Sequence, residues 1–149
     1  MTRRYGLPPR SDKRYIRRPG VYAILPRAGD LLLTHQADPH DEIQLPGGGI
    51  DPGEHPITAL HREVFEETGW RIMSPRMLGA FRRFTYMPEY DLWDEKVCHI
   101  YVARPARRHG PPIEEGHTAL WLPMLEAVSL LANEGDAEFV LSLQGSGLF

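Results

Sequence analysis

Short apolar runs, separated by segments bearing Gly and Pro, make up most of the chain, and their periods predict a mixture of strands and helices. Val21–Leu25 and Leu31–His35 read as two strands joined by the hairpin turn Arg27-Ala28-Gly29-Asp30. Ile43–Leu45 is a short apolar run that ends at Pro46-Gly47-Gly48-Gly49, a glycine loop, and Asp51-Pro52-Gly53 forms a further turn. Ile57, Leu60 and Val64 then recur at helical spacing. Pro56 suits the first turn of that helix, where the N–H it lacks would be unpaired, and Gly69 suits the position just past its end. Met77–Tyr86 and Lys96–Ala103 read as long strands linked by an exposed loop, Met87–Glu95. Pro105–Gly116 reads as another loop, Ala119–Leu122 as a short strand, Leu125–Leu131 and Ala137–Leu143 as helices, and Gln144–Phe149 as a tail. Mixed strands with one central helix and C-terminal helices imply an α/β fold in which helices sandwich a sheet.

Composition narrows the class. A chain of 149 residues with 42% hydrophobic content has the material for one buried core, which excludes global disorder. No apolar run approaches the roughly 18–20 residues of a membrane-spanning helix, and Val21–Leu25 is too short for a secretory signal. A single cysteine, Cys98, excludes internal disulfides and a multi-cysteine zinc site and fits a buried small apolar residue. Together these features favour a cytoplasmic protein without a membrane partner. The net charge of −3 conceals an asymmetry: residues 1–18 hold seven basic side chains and one acid, leaving −9 for residues 19–149. Residues 1–18 are therefore expected to be a basic, partly disordered N-terminal arm, either solvated or laid over an anionic ligand. Residues 19–149 are the expected domain.

The acidic body has a focus in Gly48–Trp70. Glu63, Glu66 and Glu67 stand at i, i+3 and i+4 on the predicted helix, so they are neighbours on one surface. The apolar stripe lies about a quarter-turn away, so the helix can dock on a sheet while its carboxylates line a groove. Crowded carboxylates repel, and a divalent cation removes that cost; oxygen ligands select a hard ion such as magnesium or manganese. Taken alone, three glutamates also fit a solvated acidic face. They are not alone: a glycine loop whose backbone can approach a ligand precedes them, Glu54 stands at the helix entrance, and Arg62 adjoins Glu63.

The spacing G-x5-E-x7-R-E-V-x-E-E-x-G-W, from Gly48, Glu54, Arg62, Glu63, Val64, Glu66, Glu67, Gly69 and Trp70, resembles the Nudix box of the Nudix hydrolase family, in the style of its MutT-like members. Trp70 departs from the family's aliphatic residue there, a change of packing rather than chemistry. The resemblance implies a Nudix-type α/β/α sandwich with a mixed central sheet. It implies Mg2+- or Mn2+-dependent hydrolysis of a diphosphate bond in a nucleoside diphosphate linked to another moiety. It further implies Glu63, Glu66, Glu67 and the Gly47 carbonyl as metal ligands, Glu63 also as a base, Arg62 as their orienting partner and Glu54 as its support. The family's late-loop glutamate corresponds to Glu115, with Glu114 as substitute, as accessory ligand or base.

Substrate contacts are less sharply marked. Gly48 lies where a substrate would approach. Tyr86, 16 residues past the box, stands where dinucleoside-polyphosphate hydrolases tend to carry tyrosine, and also fits an ordinary strand aromatic. Of Arg82 and Arg83, strand alternation allows one to face phosphate. Arg82 is expected to be that one, with Gly48 and Tyr86 as the other substrate contacts. The expected partner is a nucleotide or another small molecule containing a nucleoside diphosphate, with nucleic acid not expected and a homodimer left open. Dinucleoside-polyphosphate or nucleotide-sugar hydrolysis is the alternative. A silent nucleotide- or RNA-sensing module is the competing class, which would call for a broken R-E-x-x-E-E.

Overall fold

A computed structural model describes residues 2–38 and 40–148; Met1 of the expected arm and Phe149 of the expected domain and tail lie outside the described residues. Among the described residues the strands of two sheets and three α-helices follow one another as β1 (Arg3–Arg4), β2 (Ile16–Ile24), β3 (Pro26–Arg27), β4 (Asp30–Gln36), β5 (Glu42–Gln44), β6 (Gly47–Gly49), α1 (Pro56–Thr68), β7 (Trp70–Met87), β8 (Leu92–Arg108), β9 (His117–Pro123), α2 (Met124–Leu130) and α3 (Glu134–Ser142). The main sheet runs β1-β7-β8-β2-β6 and is mixed: β2 lies parallel to β8, while β7 pairs antiparallel with β8 and β6 with β2. In the second sheet β4 pairs antiparallel with β3 and β5, and also with β9.

Alternation along β2 shows why helices cover both faces. Val21 and Ala23 are buried with Ala59, Leu60 and Val64 of α1, whereas Ile24 is buried with Phe81, Ile100, Ala127 of α2 and Val140 of α3. A strand that buries both of its faces needs a layer on each side. Helix α1 is fixed at both ends by local chemistry. The His55 side chain accepts a hydrogen bond from the Ile57 N–H, Pro56 opens the helix, and Gly69 closes it in the left-handed conformation with its N–H on the Phe65 carbonyl.

The structure corrects three expectations. Gly47–Gly49 is not a loop but an edge strand, registered against Tyr22, Val21 and Gly20. Strand β7 begins at Trp70, and β8 continues to Arg108 through Pro105. Register shifts at Arg71/Ile72, Met73/Arg76 and Met77/Gly79 interrupt the two-residue alternation, which hides the first half of β7 from a periodicity reading. The segment expected as a loop between the long strands contracts to a turn at Pro88–Tyr90.

The chain's first residues lie on this sheet. Arg3 and Arg4 pair in parallel with Phe81 and Arg82. Tyr5 packs edge-on against Phe81, and Tyr15 against Phe84 and Trp93. Arg10 and Lys13 stack over Trp93. Among the described residues, no helix is long and apolar enough to cross a membrane.

Candidate active site

Helix α1 presents its glutamates beside β6, and two glycines make the close approach possible. Gly47 has φ +154°, and a Cβ there would stand 2.1 Å from the Val21 carbonyl oxygen. A Cβ on Gly48 would stand 2.6 Å from the Glu63 carboxylate carbon. Only a strand without side chains can run this close to both β2 and the helix. The Gly47 N–H then donates to Glu67 Oε1 at 2.9 Å.

One arginine organises the outer carboxylates. Arg62 donates through Nε and Nη2 to both oxygens of Glu54, each at 2.8 Å. Its Nη1 reaches Glu63 Oε1 at 3.0 Å and Glu66 Oε2 at 3.3 Å, and Nη2 reaches the Gly49 carbonyl at 3.1 Å. This guanidinium, helped by the Asp51 N–H, holds the Glu54 carboxyl down to about 2. The carboxylates raise the Arg62 pKa in turn, Glu54 most of all.

The inner carboxylates behave oppositely. Glu67 is 5% exposed, and burial pushes its carboxyl well above the usual carboxylate range, only partly offset by the Gly47 N–H. Burial pushes Glu63 up to about 7 against the pull of Arg62, with Glu66 and Glu114 adding repulsion.

A residue that sequence reasoning missed completes the cluster. His117, at the start of β9, has a side chain only 6% exposed. Its Nδ1 lies 2.9 Å from Thr34 Oγ1, and Thr34 Oγ1 donates to the Glu67 carbonyl at 3.4 Å. Its Nε2 faces Glu67 Oε2 at 3.7 Å and Glu114 Oε2 at 3.9 Å. Two carboxylates and a ring nitrogen converging in a buried space fit a cation between them. Two triads of side-chain donors fall within 4.8 Å of one another: Glu63, Glu66 and Glu114, and Glu67, Glu114 and His117. Predominantly oxygen donors suit a hard divalent ion. No short-range pattern marks His117; the signal is its pairing position on β9, opposite Gln36 of β4 and next to Thr34 in space.

Glu63, Glu67, Glu114 and His117, though not Glu66, line one end of a cavity of about 390 Å3. Gly47, Gly48, Glu63 and Glu67 line it, as does Glu115, but it is Glu114 that joins both donor triads. The reason is backbone geometry: the N–H groups of Ile113 and Glu114 both donate to the Glu66 carbonyl and tether that residue to α1. The expectations for Arg82 and Tyr86 are corrected. Arg83, Phe81 and Met87 share one face of β7, so Arg82 turns to the other, where it lines a smaller cavity with Thr2, Arg17 and Val97 and pairs with Glu95 at 3.8 Å. Tyr86, also on that second face, donates to Asp91 Oδ1 at 2.7 Å and packs on Trp93 outside the main cavity.

Comparison with known proteins agrees with this architecture. The model of the NUDIX domain family matches residues 16–143. The chain belongs to the Nudix family. An RNA pyrophosphohydrolase from Pectobacterium atrosepticum is 31% identical over 134 residues, covering 87% of this chain and 62% of that protein. A CMP-5'-(N-acetyl-N-hydroxy-3-aminopropyl)phosphonate hydrolase from Streptomyces rubellomurinus is 36% identical over 111 residues, covering 70% of this chain and 51% of that protein. The chain thus spans half to three-fifths of the length of these curated relatives. Among solved structures, a NUDIX hydrolase from Nitrosomonas europaea superposes with a TM-score of 0.71 at 17% identity, covering 89% of this chain and 91% of that one. A MutT protein from Bacillus halodurans gives 0.68 at 20% identity, covering 83% and 80%. These two likenesses are of fold.

Proposed function

We propose that the protein is a divalent-cation-dependent pyrophosphohydrolase acting on a nucleoside diphosphate linked to another moiety. The observation that carries this reading is the close approach of Gly47–Gly48 to Glu63 and Glu67. It sets buried, charge-frustrated carboxylates at the mouth of a cavity against a strand without side chains. Glu63, Glu66 and Glu67, with the Gly47 carbonyl, would hold Mg2+ or Mn2+. The cation, when bound, neutralises diphosphate oxygens and acidifies the attacking water.

The chain's own residues supply the rest. Arg62, locked to Glu54, fixes the rotamers of Glu63 and Glu66, so the ligands are set before the cation arrives. Glu114, tethered through its N–H but with a carboxylate open to the cavity, takes the proton of the attacking water, with Glu63 or Glu115 as the alternative base. Gly48 lets the diphosphate reach the backbone without meeting a side chain. The relatives named as an RNA pyrophosphohydrolase and as the hydrolase of a CMP conjugate support a nucleotide on one side of the cleaved bond.

The test is a panel of nucleoside triphosphates, dinucleoside polyphosphates and nucleotide sugars with Mg2+ or Mn2+, scored for phosphate or pyrophosphate release. Release from at least one class, abolished by chelation, is expected. No release from any class with either ion overturns the reading.

A further inference from the structure

At the end of the cavity away from the glutamates, the sheet register assembles a feature that the chemistry above does not use. Arg18 on β2 is paired with Lys96 on β8, and Lys96 is paired with Arg83 on β7. Three cations thus stand in one row across three adjacent strands, and all three line the cavity. Like charges directly opposite one another on a sheet are destabilising, so such a row costs stability unless an anion meets it.

No carboxylate among the described residues comes within ion-pair distance of it. Among the described residues, the side chains of Lys96 and Arg83 make no hydrogen bond or ion pair, and Arg18 reaches only the Met87 sulfur at 3.2 Å. The other face of the same strands is arranged differently: Glu95 sits 3.0 Å from Arg17 and 3.8 Å from Arg82. One register step beyond the row, Asp94 and Thr85 face each other, and each has a buried side-chain oxygen without a partner. Asp94 is 1% exposed and lines the cavity, yet no cationic atom comes within 4.0 Å of its carboxylate among the described residues. Burial pushes the Asp94 carboxyl up, and the three cations work against it from a distance. With Asp94 and Asp136, the other cavity carboxyl on which Lys96 and Arg83 act, both ionised, the row still carries one unbalanced positive charge.

Placement says which anion fits. From β6, where the glutamates meet the glycine strand, Lys96 and Arg83 lie two and three strands away, roughly 10–14 Å at ordinary strand spacing. The floor between them is Cys98 and Gly20, the latter overlain by the Tyr22 ring, which stands 3.0 Å from where a Gly20 Cβ would be, and a sugar and a base would lie across that ring. An anion at the row therefore sits across a nucleoside from the phosphates at the glutamates. We propose that Arg18, Lys96 and Arg83 bind a second phosphate group of the substrate on the 3′ side of its nucleoside, either a 3′-phosphate or the first internucleotide phosphate of a 5′-polyphosphorylated strand. This rests on the reading that the glutamate end takes the 5′ phosphates.

The test is binding without turnover. Adenosine 3′,5′-bisphosphate, adenosine 5′-monophosphate and a 5′-phosphorylated diadenosine dinucleotide are titrated in Mg2+ at low salt against the wild-type chain, Lys96→Gln and Arg83→Gln. In the wild type the bisphosphate or the dinucleotide binds at least about tenfold more tightly than the monophosphate, as charge-assisted contacts to one phosphate allow. The ligand that gains more identifies the source of the phosphate. Each substitution reduces the preference to under about threefold, leaves monophosphate binding in place and, by removing like-charge repulsion, does not lower Tm. Equal binding of all three ligands by the wild type, or a preference that survives both substitutions, overturns the proposal. Failure of the hydrolytic reading is separate: it shows as absent turnover across the polyphosphate panel, whatever the bisphosphate does.

Discussion

At one end of the cleft four carboxylates crowd beside a single helix, and one arginine ties two of them to Glu54. At the other end three cations stand on three strands, and among the described residues no carboxylate is tied to them. The helix cluster is assembled by local geometry: residues at i, i+3 and i+4 meet whatever the rest of the chain does. The cation row is assembled by register alone, since Arg18, Arg83 and Lys96 come together only through strand pairing. Each end holds like charges at a cost, and each is relieved by a charge of opposite sign from outside the chain. A metal-bound polyphosphate followed by a nucleoside and another phosphate would relieve both.

The sharpest way to break the comparison is at the acidic end. Glu67→Gln keeps the acceptor for the Gly47 N–H but removes the charge. Turnover is expected to fall by about 10³-fold or more, as for loss of a metal ligand. Tm should be no lower than in the wild type, because burial already disfavours the charged carboxylate. A rate within about tenfold of wild type would remove Glu67 from the chemistry.

A smaller effect separates the two loop glutamates. Glu114→Gln is expected to lower kcat by about 10²-fold, the ordinary worth of a positioned base, whereas Glu115→Gln should stay within about threefold. Steady-state rates at saturating Mg2+ decide it, and the reverse ranking would return the role to Glu115.

What is legible in the sequence follows the same division. The helix, its glutamates, Arg62 and Glu54 can be read because spacing along one helix is spacing in space. The sandwich can be read because Val21–Leu25 is apolar at nearly every position and so demands cover on both faces. Sequence alone ranks Glu114 second to Glu115, because only the bonds of the Ile113 and Glu114 amides to the Glu66 carbonyl distinguish them. It favours Arg82 over Arg83 for want of a known strand phase, which the bulges along β7 reset. His117 and the Arg18–Lys96–Arg83 row depend on which strands become neighbours, and no local pattern carries that.

The last prediction uses pH to tell the two ends apart. Burial pushes both Glu63 and Asp136, the latter at the first turn of α3 and on the cavity wall, up to about 7. For such a group the folded state holds a proton that the unfolded chain has already released, so stability falls as pH rises from about 4 to about 7 and is flat below that window. A pKa one pH unit higher in the folded chain than in the unfolded one is worth about 1.4 kcal/mol, so either residue contributes roughly 2–4 kcal/mol across the window. Asp136→Asn, which keeps an acceptor for the Asn133 amide, should flatten the decline by that amount when Tm or denaturant stability is followed from about pH 4 to about pH 8. Saturating Mg2+ should cancel the share due to Glu63 and leave the share due to Asp136. Asp136 belongs to neither donor triad, and the charges that act on it, Arg83 and Lys96, belong to the cationic row. If Mg2+ abolished the whole pH dependence in the wild type, the charge would be communicating across the cleft, and the two ends could no longer be treated as separate sites.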